Sequence, residues 1–392
     1  MAASGRSFVI AGAGMSGLTL ALTLAKFGAK VVILERSDSI QEAGAGLQIS
    51  PNARRILDQL GIAEALKQTA MEPAALDTYR HGESRPFYSM EFGPIMEEHF
   101  GAPYAVMHRG DLADALHKAA RRFANIDIRF GVRKWSVSTS VRGLSVEVLE
   151  ASGQTLTLRP AAFIGADGVH SQTRTEILGG PQAASGNRIA WRALIPTEAA
   201  RGQIAMDRVS VFFGTGHHMV CYPLPHRDQV NLALFLPGSA DSTATRPEIK
   251  ASGPLASLLA SAGDSWTRWA LYTVETPTWH KGSVGIIGDA AHGMLPFQAQ
   301  GAAMGIEDAA TLGPLLVETD EPEAAFARYS AARQERVGKV ASLSASNGRI
   351  FHMRWPMSAA RDTVMRMQGP RAHLKRLGWI YGHEIVPGSV GQ

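Results

Sequence analysis

The sequence has only one cysteine, Cys221, among its 392 residues. A single cysteine cannot form an intrachain disulfide or a cysteine-rich metal site, and such scarcity is typical of proteins of the reducing cytoplasm. The chain also lacks a run of about 18 apolar residues, which a membrane-spanning helix would need. Strand-like sequence begins almost at the N-terminus and leaves no room for a signal peptide. We therefore expect a cytoplasmic protein without a membrane span.

Charged residues are also few, at 19% of the chain, and the net charge is +4 without a dense lysine and arginine block. This distribution gives no indication of nucleic acid binding, although a slightly positive protein favours anionic substrates and phosphate-bearing cofactors. No histidines and carboxylates show metal-ligand spacing, and Glu307-Asp308 reads as the continuation of a helix, so no metal site is predicted. A hydrophobic content of 45% excludes a disordered chain.

The most informative local pattern is Gly-Ala-Gly-Met-Ser-Gly at residues 12–17. Residues 7–11 and 30–34 are apolar and β-branched, as expected of buried parallel strands. The segment between them, residues 18–27, is rich in leucine and alanine and predicts a helix. The sequence therefore predicts a strand, a glycine turn, a helix and a second strand, which is the dinucleotide-binding βαβ unit.

Each part of this unit has a physical task. Gly12 permits the tight turn, Gly14 lets the backbone approach a pyrophosphate, and Gly17 lets the helix pack against the strand. The helix N-terminus offers unpaired N–H groups and a partial positive charge to phosphates. Glu35, at the end of the second strand, is placed to accept hydrogen bonds from ribose hydroxyls. Arg36 would suit a 2′-phosphate, but Glu35 repels one.

Two later signatures complete the pattern: Gly-Ala-Asp-Gly at 165–168 and Gly-Asp-Ala-Ala-His at 288–292. In this order, the three signatures describe one FAD site built from distant parts of a single fold. The predicted fold class is α/β: a Rossmann-type FAD-binding domain is interrupted by a mainly β substrate domain (an α+β insertion), and the C-terminus is helical.

The predicted domain boundaries lie where the sequence changes from mixed helix and strand patterns to mainly strand patterns. They are residues 1–72, 104–180 and 277–345 for the discontinuous FAD-binding domain, 73–103 and 181–276 for the substrate-binding β domain, and 346–392 for a C-terminal helical segment. Gly313-Pro314 should bend or end the helix that follows the third signature. We expect Trp379 and Tyr381 to be buried where the chain closes.

This combination of motifs resembles the single-component FAD-dependent monooxygenases of aromatic rings, the group typified by p-hydroxybenzoate hydroxylase. Within that group, the sequence is most similar to the hydroxylases of salicylate, 3-hydroxybenzoate and 6-hydroxynicotinate. The resemblance implies a small hydroxylated aromatic or N-heteroaromatic carboxylic acid as substrate. It also implies NADH or NADPH and O2 as co-substrates, hydroxylation through a flavin C4a-hydroperoxide, and a possible homodimer.

Transient docking of the nicotinamide agrees with the absence of a second Gly-x-Gly-x-x-Gly, since residues 214–216 lack the third glycine. Two other functions stay open at this point. One is a related monooxygenase or epoxidase acting on a larger, non-benzoate substrate. The other is a flavin-binding sensor without turnover.

The resemblance also assigns cofactor contacts by position. It places Gly14, Met15 and Ser16 along the pyrophosphate, Glu35 and Arg36 at the adenosine ribose, and Gln48, in a glycine-rich loop over residues 42–52, beside the ribityl–isoalloxazine region. It further places Arg109 at the pyrophosphate or ribityl chain and Lys134 near the adenine. Asp167 is placed under the pyrophosphate and is linked to NAD(P)H use. Asp289 is placed at a ribityl hydroxyl, and Gly301, Ala302 and Ala303 are placed at the flavin pyrimidine edge.

The catalytic candidates are His218 and Tyr222, four positions apart in a strand-like segment. That spacing puts both side chains on one face of a strand. The resemblance implies that His218 hydrogen-bonds or deprotonates the substrate hydroxyl and that Tyr222 orients the ring. The alternative is a surface histidine on a hairpin beside a core tyrosine. His217 should point to the opposite face and be exposed to solvent.

Three further residues are candidates for substrate contact. Arg192 could meet a substrate carboxylate or have a structural role in the sheet, and Gln298 could lie at the flavin edge or fix loop backbone. Pro296-Phe297 stands where relatives place histidine or glutamine, so the polarity of the pocket differs from theirs and the substrate stays open. We interpret His292 as a structural hydrogen-bonding residue and not as a base.

Overall fold

The structure is a computed structural model that describes residues 5–40, 45–141 and 143–385. Residues 42–44 of the predicted glycine-rich loop lie outside these ranges. The next part of that loop is not irregular, because it forms the short strand Gly46–Ile49.

Strands and helices alternate along the first third of the chain, and the end of the chain is helical. The strands are β1 (Ser7–Ala11), β2 (Lys30–Leu34), β3 (Gly46–Ile49), β4 (Ala75–Arg80), β5 (Tyr88–Glu91), β6 (Ala105–His108), β7 (Ile126–Arg129), β8 (Lys134–Ser140), β9 (Gly143–Leu149), β10 (Thr155–Leu158), β11 (Ala162–Gly165), β12 (Ala184–Pro196), β13 (Arg208–Gly214), β14 (His217–Leu224), β15 (Gln229–Pro237), β16 (Thr267–Thr273), β17 (His280–Lys281) and β18 (Val284–Ile286). The helices are α1 (Met15–Lys26), α2 (Pro51–Gln59), α3 (Ala63–Thr69), α4 (Gly93–Phe100), α5 (Arg109–Ala120), α6 (Thr197–Ala200), α7 (Gly253–Ala262), α8 (Asp289–His292), α9 (Gly301–Glu318), α10 (Pro322–Phe351) and α11 (Met357–Tyr381).

A parallel sheet of order β17-β18-β11-β1-β2-β7 forms the nucleotide-binding half, with only its edge strand β17 antiparallel. Alternate side chains of β1 serve two cores, because successive residues of a strand point to opposite faces. Phe8 and Ile10 pack with α1 and α9, whereas Val9 and Ala11 pack with the small sheet β10-β9-β8. The predicted α/β class with a Rossmann-type domain is confirmed.

Helix α9 packs along α1 and continues through Pro314 to Glu318, so of the two predicted effects of Gly313-Pro314, a bend or a helix end, the end is wrong. A proline inside a helix removes one hydrogen bond and costs roughly 3 kcal/mol. Here Leu312, Leu315 and Leu316 are buried in the core on both sides of the proline. Their burial offsets that cost, since each such side chain contributes about 1.5–3 kcal/mol.

A second sheet of order β16-β12-β15-β14-β13-β4-β5 is antiparallel except for the β13–β4 pair. One face packs against α7 through a core that includes Trp191, Phe212, Met219 and Leu232. The opposite face looks towards the parallel sheet. A smaller antiparallel pair is formed by β3 and β6, which come before and after β4 and β5 in the sequence. This pair supplies residues to the cavity between the two main sheets.

The C-terminal helices cover this second face. Helix α10 is 30 residues long. Helix α11 contains a kink at Gly369, which has a φ of +71° and directly precedes Pro370. Helix α11 contacts β5 and buries Tyr381, as expected. The predicted burial of Trp379 is wrong, since this side chain is 43% exposed and lies beside the Arg336 guanidinium. No helix of the described chain combines the length and apolarity needed to cross a membrane.

We propose the same domain division on the basis of these two sheets. The strands of the second sheet all fall within residues 73–103 and 181–276, and those of the parallel sheet fall within the three ranges assigned to the FAD-binding domain. The boundary at residue 346 lies inside α10.

Candidate active site

A cavity of about 1050 Å³ lies between the two main sheets and reaches α11. One end is lined by Gly14, Ser16 and Asp289, and the other end by His218 and Tyr222. Most of the predicted site residues therefore contribute to one continuous space, although they come from distant parts of the chain.

At the nucleotide end, the glycines have distinct geometries. Gly12 has a φ of +105°, and a Cβ there would lie 2.4 Å from the Ala166 carbonyl oxygen. A Cβ at Gly17 would lie 2.0 Å from the Gly12 carbonyl oxygen, so both positions need glycine for close packing. A Cβ at Gly14, in contrast, would meet no atom within 4 Å. The missing side chain at Gly14 leaves an open cradle in front of the first turn of α1.

The N-terminus of α1 faces this cradle, and its N-cap residue Gly14 makes no side-chain capping hydrogen bond. Met15 and Ser16 line the cavity beside it. A helix start of this kind concentrates unpaired N–H groups and a partial positive charge, which together attract a pyrophosphate.

Glu35 lies at the end of β2 and accepts hydrogen bonds from the backbone N–H groups of Ala13 (2.9 Å) and Ser37 (2.9 Å). Its carboxylate thus holds the glycine turn against the second strand. Glu35, Arg36 and Lys134 are not among the cavity-lining residues, and the last two are exposed. Their contacts with the adenosine part of the cofactor stay predictions.

Gln48 and Arg109 line the cavity from the β3–β6 pair and the start of α5. Gln48 accepts a hydrogen bond of 2.5 Å from the Tyr104 hydroxyl, and the Arg109 backbone N–H donates to the Ala45 carbonyl at 2.8 Å. Tyr104 therefore holds the Gln48 side chain, and Ala45 holds the Arg109 backbone.

Asp167 differs from its neighbours Ala166 and Gly168, which line the cavity. Its carboxylate accepts hydrogen bonds from the Ser171 hydroxyl (2.6 Å) and from the backbone N–H (2.9 Å) and hydroxyl (3.0 Å) of Thr173. The side chain thus stabilises the turn after β11. A role of Asp167 in NAD(P)H use stays a prediction.

Asp289 is exposed at the start of the short helix α8 and lines the cavity, so its carboxylate is available to a bound group. Gly301 and Ala302 begin α9 and also line the cavity. Ala303 does not, because it is 3% exposed and packs in the main core. The structure therefore brings two of the three predicted α9 residues to the site.

A charged cluster, here called the ion network, anchors α9 from behind. It consists of Asn52, His292, Glu307, Asp308, Arg333 and Arg336. Glu307 accepts from Asn52 (2.7 Å), Arg333 (2.5 Å) and Arg336 (2.7 and 2.8 Å). Asp308 accepts from the Gly288 N–H (2.9 Å), His292 (2.5 Å) and Arg333 (2.8 Å).

Both carboxylates of the ion network are fully buried. Burial alone would raise the pKa of Glu307, but Arg333 and Arg336 outweigh it and lower the pKa overall. In the same way His292 and Arg333 lower the pKa of Asp308 against the effect of burial. The network ties the turn at Gly288 to α9. No sequence pattern indicated it, because Glu307-Asp308 is typical of an ordinary helix.

At the other end of the cavity, His218 and Tyr222 project from the same face of β14 with Val220 between them. His218 is 1% exposed, which excludes the alternative of a surface histidine. Its ring stacks on Phe235 with centroids 4.6 Å apart and meets Phe297 edge-on. Burial lowers the pKa of His218 and raises that of Tyr222, so both side chains are neutral.

His217 points to the other face of the sheet as expected, but the prediction that it is exposed is wrong. It is 9% exposed, because His81 covers its ring with a 3.1 Å contact between Nδ1 of His81 and Nε2 of His217. The second ring nitrogen lies 3.1 Å from the Thr215 carbonyl oxygen. Packing against β4 accounts for this burial, and β4 is distant in sequence.

The three candidate substrate residues all line the cavity. Arg192 lies on β12 opposite Ala233, and its guanidinium is 5.9 Å from the Trp269 ring centre. Pro296 and Gln298 lie in the loop before α9, and Gln298 accepts a 2.5 Å hydrogen bond from the Asn347 amide.

Several lining residues were missed by sequence reasoning. They include Asn231 on β15, Met353 after α10, and Met357, Met365 and Leu377 on α11. His352 was missed as well; it does not line the cavity itself, but its Nε2 lies 2.7 Å from Nδ1 of His218, which does. No local pattern marks these positions, because what they share is a tertiary neighbour and not a spacing.

The residues at the nucleotide end fit a bound FAD. The open cradle at Gly14, the exposed Asp289 carboxylate, and the two helix N-termini at α1 and α9 offer the donors, acceptor and space that a pyrophosphate, a ribityl chain and a flavin edge require.

Comparisons with known proteins agree with this geometry. The FAD binding domain family matches residues 7–344. The chain is 31% identical to 3-hydroxybenzoate 6-hydroxylase 1 of Aquipseudomonas alcaligenes, over 97% of this chain and 98% of that protein. It is 30% identical to 6-hydroxynicotinate 3-monooxygenase of Pseudomonas fluorescens, over 86% and 90%.

Among solved structures, the fold is similar to Klebsiella pneumoniae HpxO complexed with FAD and uric acid, with a TM-score of 0.82, 21% identity and coverage of 95% of both chains. It is also similar to a salicylate hydroxylase substrate complex, with a TM-score of 0.76, 22% identity, and coverage of 97% of this chain and 96% of that one. At these identities, the likeness concerns the fold.

Proposed function

Because this chain belongs to the FAD binding domain family and is a FAD-dependent monooxygenase, we propose that it hydroxylates a small aromatic or N-heteroaromatic acid that already carries a hydroxyl group. In this proposal NADH or NADPH and O2 are its co-substrates. The observation that carries the proposal is the single cavity that joins the nucleotide cradle at Gly14 to the polar face of β14 at His218 and Tyr222.

The cofactor contacts follow from the lining residues. Gly14, Met15 and Ser16 would hold the pyrophosphate, Asp289 and Arg109 the ribityl chain and its phosphate, and Gln48, Gly301 and Ala302 the flavin ring. Glu35, Arg36 and Lys134 would meet the adenosine part, and Asp167 would hold the turn beside the pyrophosphate. Bound FAD supplies the activation of O2 after reduction by the nicotinamide.

The chain's own residues supply position, dryness and hydrogen bonds. The aromatic rings of Phe235, Phe297 and Phe351 surround His218 and exclude water from its neighbourhood. Tyr222 lines the cavity and burial raises its pKa, so its hydroxyl stays protonated and can donate to a substrate oxygen. Arg192 lines the cavity and acts electrostatically on Tyr222, and it would attract a substrate carboxylate.

Retention of the flavin can be tested separately from turnover. We expect Gly14→Val to fold, since its Cβ meets nothing within 4 Å, but to bind FAD at least about tenfold more weakly, because the side chain fills the cradle. Gly338→Ala is the matched control, because a Cβ at that glycine on α10 also meets nothing within 4 Å. Titration of the apoprotein with FAD, followed by flavin absorbance, measures both variants.

The reaction itself is tested with salicylate, 3-hydroxybenzoate and 6-hydroxynicotinate as a first panel. We expect one of these acids to stimulate NADH or NADPH oxidation and ¹⁸O2 to label the hydroxylated product detected by mass spectrometry. His218→Ala should lower product formation more than FAD content. A colourless protein that does not take up FAD, or product without label from O2, would contradict the proposal.

A second candidate is a related monooxygenase or epoxidase with a larger, apolar substrate, and one observation favours it. Beyond β14, the cavity-lining face of the sheet is mainly apolar: Val211 lies beside Val220, and Leu76 of β4 lies beside Val209 and Met90. Three strand spacings of about 4.8 Å separate β14 from the edge strand β5. This apolar half exceeds what a single small ring requires.

The two candidates separate in one experiment. Leu76→Trp fills the apolar half without touching His218 or Tyr222. For a small acid we expect kcat/KM to change less than about threefold, whereas a substrate with an apolar extension should lose tenfold or more, roughly the loss of buried apolar contact.

A further inference from the structure

His352 lies directly after α10, 134 residues from His218, and is 8% exposed. Its Nε2 is 2.7 Å from Nδ1 of His218, with the ring centres 5.0 Å apart. The backbone also links the two regions, because the Gly216 N–H in the turn before β14 donates to the His352 carbonyl at 3.1 Å. The contact between the two rings is thus part of a fixed junction and not a chance approach of two flexible side chains.

Both rings are neutral. Burial is the largest cause that lowers the pKa of His352, to about 3, and it acts in the same direction on His218. The charged or titratable groups that reach His352 are Arg188 and His217, and both also lower its pKa. Each neutral imidazole carries one proton, so one nitrogen of each ring is a donor and the other an acceptor.

The 2.7 Å contact therefore has two possible arrangements. In the first, Nε2–H of His352 donates to Nδ1 of His218, and the proton of His218 is on its own Nε2. In the second, Nδ1–H of His218 donates to Nε2 of His352, and the proton of His352 is on its Nδ1. The two arrangements present opposite chemistry at Nε2 of His218: a donor in the first and a bare, basic nitrogen in the second.

The environment of Nδ1 of His352 separates these arrangements. This atom is buried and has no hydrogen-bond partner within the described ranges. The second arrangement would place an N–H there with no acceptor, and orphaned buried N–H groups are rare in proteins, more so than acceptors that lack a donor. The first arrangement leaves only a lone pair at this position.

Nε2 of His218 has the opposite surroundings. His218 lines the cavity, and its Nε2 has no partner in the described part of the chain, yet it is not among the buried unpartnered atoms. This nitrogen therefore opens to the cavity. Whatever proton it carries is offered to a bound molecule.

We propose that His352 is a positioning residue that holds His218 in the Nε2–H tautomer, so that His218 presents a hydrogen-bond donor, and not a base, to the cavity. The tautomer follows from the contact itself; its meaning for the substrate rests on the proposed function. A donor at this position selects a substrate that brings an acceptor oxygen, such as a phenolate or a carboxylate. The substrate hydroxyl then binds already ionised or loses its proton to a group other than His218.

The tautomer is directly measurable. In FAD-loaded protein with ¹⁵N-labelled histidine, long-range ¹H–¹⁵N correlation distinguishes rings protonated at Nδ1 from rings protonated at Nε2 without any substrate. Signals of the two rings are assigned by their loss in His218→Gln and His352→Gln. We expect His218 and His352 both to be protonated on Nε2. A His218 ring protonated on Nδ1 would overturn the proposal.

Two variants test the role of His352 in setting this state. His352→Gln keeps an amide N–H that can donate to Nδ1 of His218, and we expect it to retain the Nε2–H pattern. His352→Leu removes the donor, and His218 should then show both tautomers. His217→Gln is the control, because His217 faces the other side of the sheet and contacts His81. An unchanged His218 pattern in His352→Leu would remove His352 from this role.

Kinetics then connect the tautomer to the substrate. With a turned-over acid, His352→Leu should lose about tenfold in kcat/KM, whereas His352→Gln should stay within about threefold of the wild type, as expected for one hydrogen bond in the site. The failures are distinguishable. Nε2–H on His218 with no hydroxylation of any acid contradicts the proposed function alone, and hydroxylation with Nδ1–H on His218 contradicts this inference alone.

Discussion

Two buried polar clusters of this protein differ in charge and in how their polar atoms are hydrogen-bonded. In the ion network every carboxylate oxygen of Glu307 and Asp308 has a partner, and the charges balance across Arg333, Arg336 and His292. In the second cluster, formed by His218 and His352, both groups are neutral and one nitrogen of each ring lacks a protein partner.

The difference separates structure from chemistry. Buried charges are tolerated only when they are paired and hydrogen-bonded, so the two carboxylates of the ion network have no capacity left for a ligand and serve to fix α9 and the turn at Gly288. A neutral pair can remain partly unpartnered at a moderate cost, and its remaining donor is available to a substrate. Nδ1 of His292 in the ion network is also unpartnered but buried, so what marks the functional cluster is an unpartnered nitrogen that opens to the cavity.

The largest expected effect comes from breaking the ion network. Arg333→Met leaves the Glu307 and Asp308 carboxylates buried with too few cations. We expect a loss of about 3–5 kcal/mol in the free energy of unfolding. Urea unfolding of the FAD-loaded protein, followed by circular dichroism, measures it. A loss below about 1 kcal/mol would mean that water or Arg336 can replace Arg333 at little cost.

Acid should affect the histidine pair before it affects the ion network. The pKa of His352 is depressed to about 3 in the folded protein, so the unfolded chain takes up the proton first and stability falls as the pH drops below roughly 6.5. The carboxylates of the ion network also have depressed pKa values, and their contribution is lost only below the unfolded value of about 4.

This pH window can be isolated with one variant. Between pH 7.5 and 4.5, His352→Leu should lose about 1–2 kcal/mol less stability than the wild type, after allowance for partial solvation of the ring. Urea unfolding at both pH values gives the comparison. Parallel losses in the two proteins would show that His352 is already protonated in the folded state.

A smaller effect distinguishes a functional hydroxyl from a structural one. Tyr222→Phe removes a hydroxyl from the cavity wall, so stability should stay the same or rise by up to about 1 kcal/mol while kcat/KM falls about tenfold.

The matched control is Tyr329→Phe, in the main core and away from the cavity, whose hydroxyl donates to the Ile286 carbonyl at 3.4 Å. It should lose about 1 kcal/mol of stability with no change in activity. The interpretation fails if both tyrosines behave alike in unfolding and in turnover assays.

The smallest effect is expected from an exposed ion pair on the same helix as Arg333. Lys339 lies 2.6 Å from Glu335, and their side chains are 62% and 78% exposed. Lys339→Met should leave the urea unfolding midpoint essentially unchanged, because solvent and salt screen such pairs. An effect comparable to that of Arg333→Met would show that charge number and not burial decides the comparison.

Much of the nucleotide end could be predicted from sequence because its constraints are local. Only glycine accommodates the φ of +105° and the 2.4 Å approach at Gly12, and the apolar runs on either side specify two buried parallel strands. The shared face of His218 and Tyr222 was likewise accessible, since strand periodicity fixes it.

The polar partners were not accessible in this way. The contact between His218 and His352 spans 134 positions, and that between Asn52 and Glu307 spans 255. The same reason explains the wrong expectations of exposure at His217 and burial at Trp379, and the continuation of α9 through Pro314. Burial by a distant strand, the outward face of α11, and burial of the residues on both sides of the proline are properties of packing.

The amino-acid sequence by itself determined the strand–turn–helix unit, the cofactor class and the side of β14 that carries polar groups, because short-range sterics and periodicity act within a few residues. Only the tertiary structure decided which histidine faces a closed cavity, which nitrogen of that ring remains available, and that α11 forms the cavity wall. Those properties depend on which remote side chains share the same volume, and burial there sets both the charge state and the hydrogen bonds of each group.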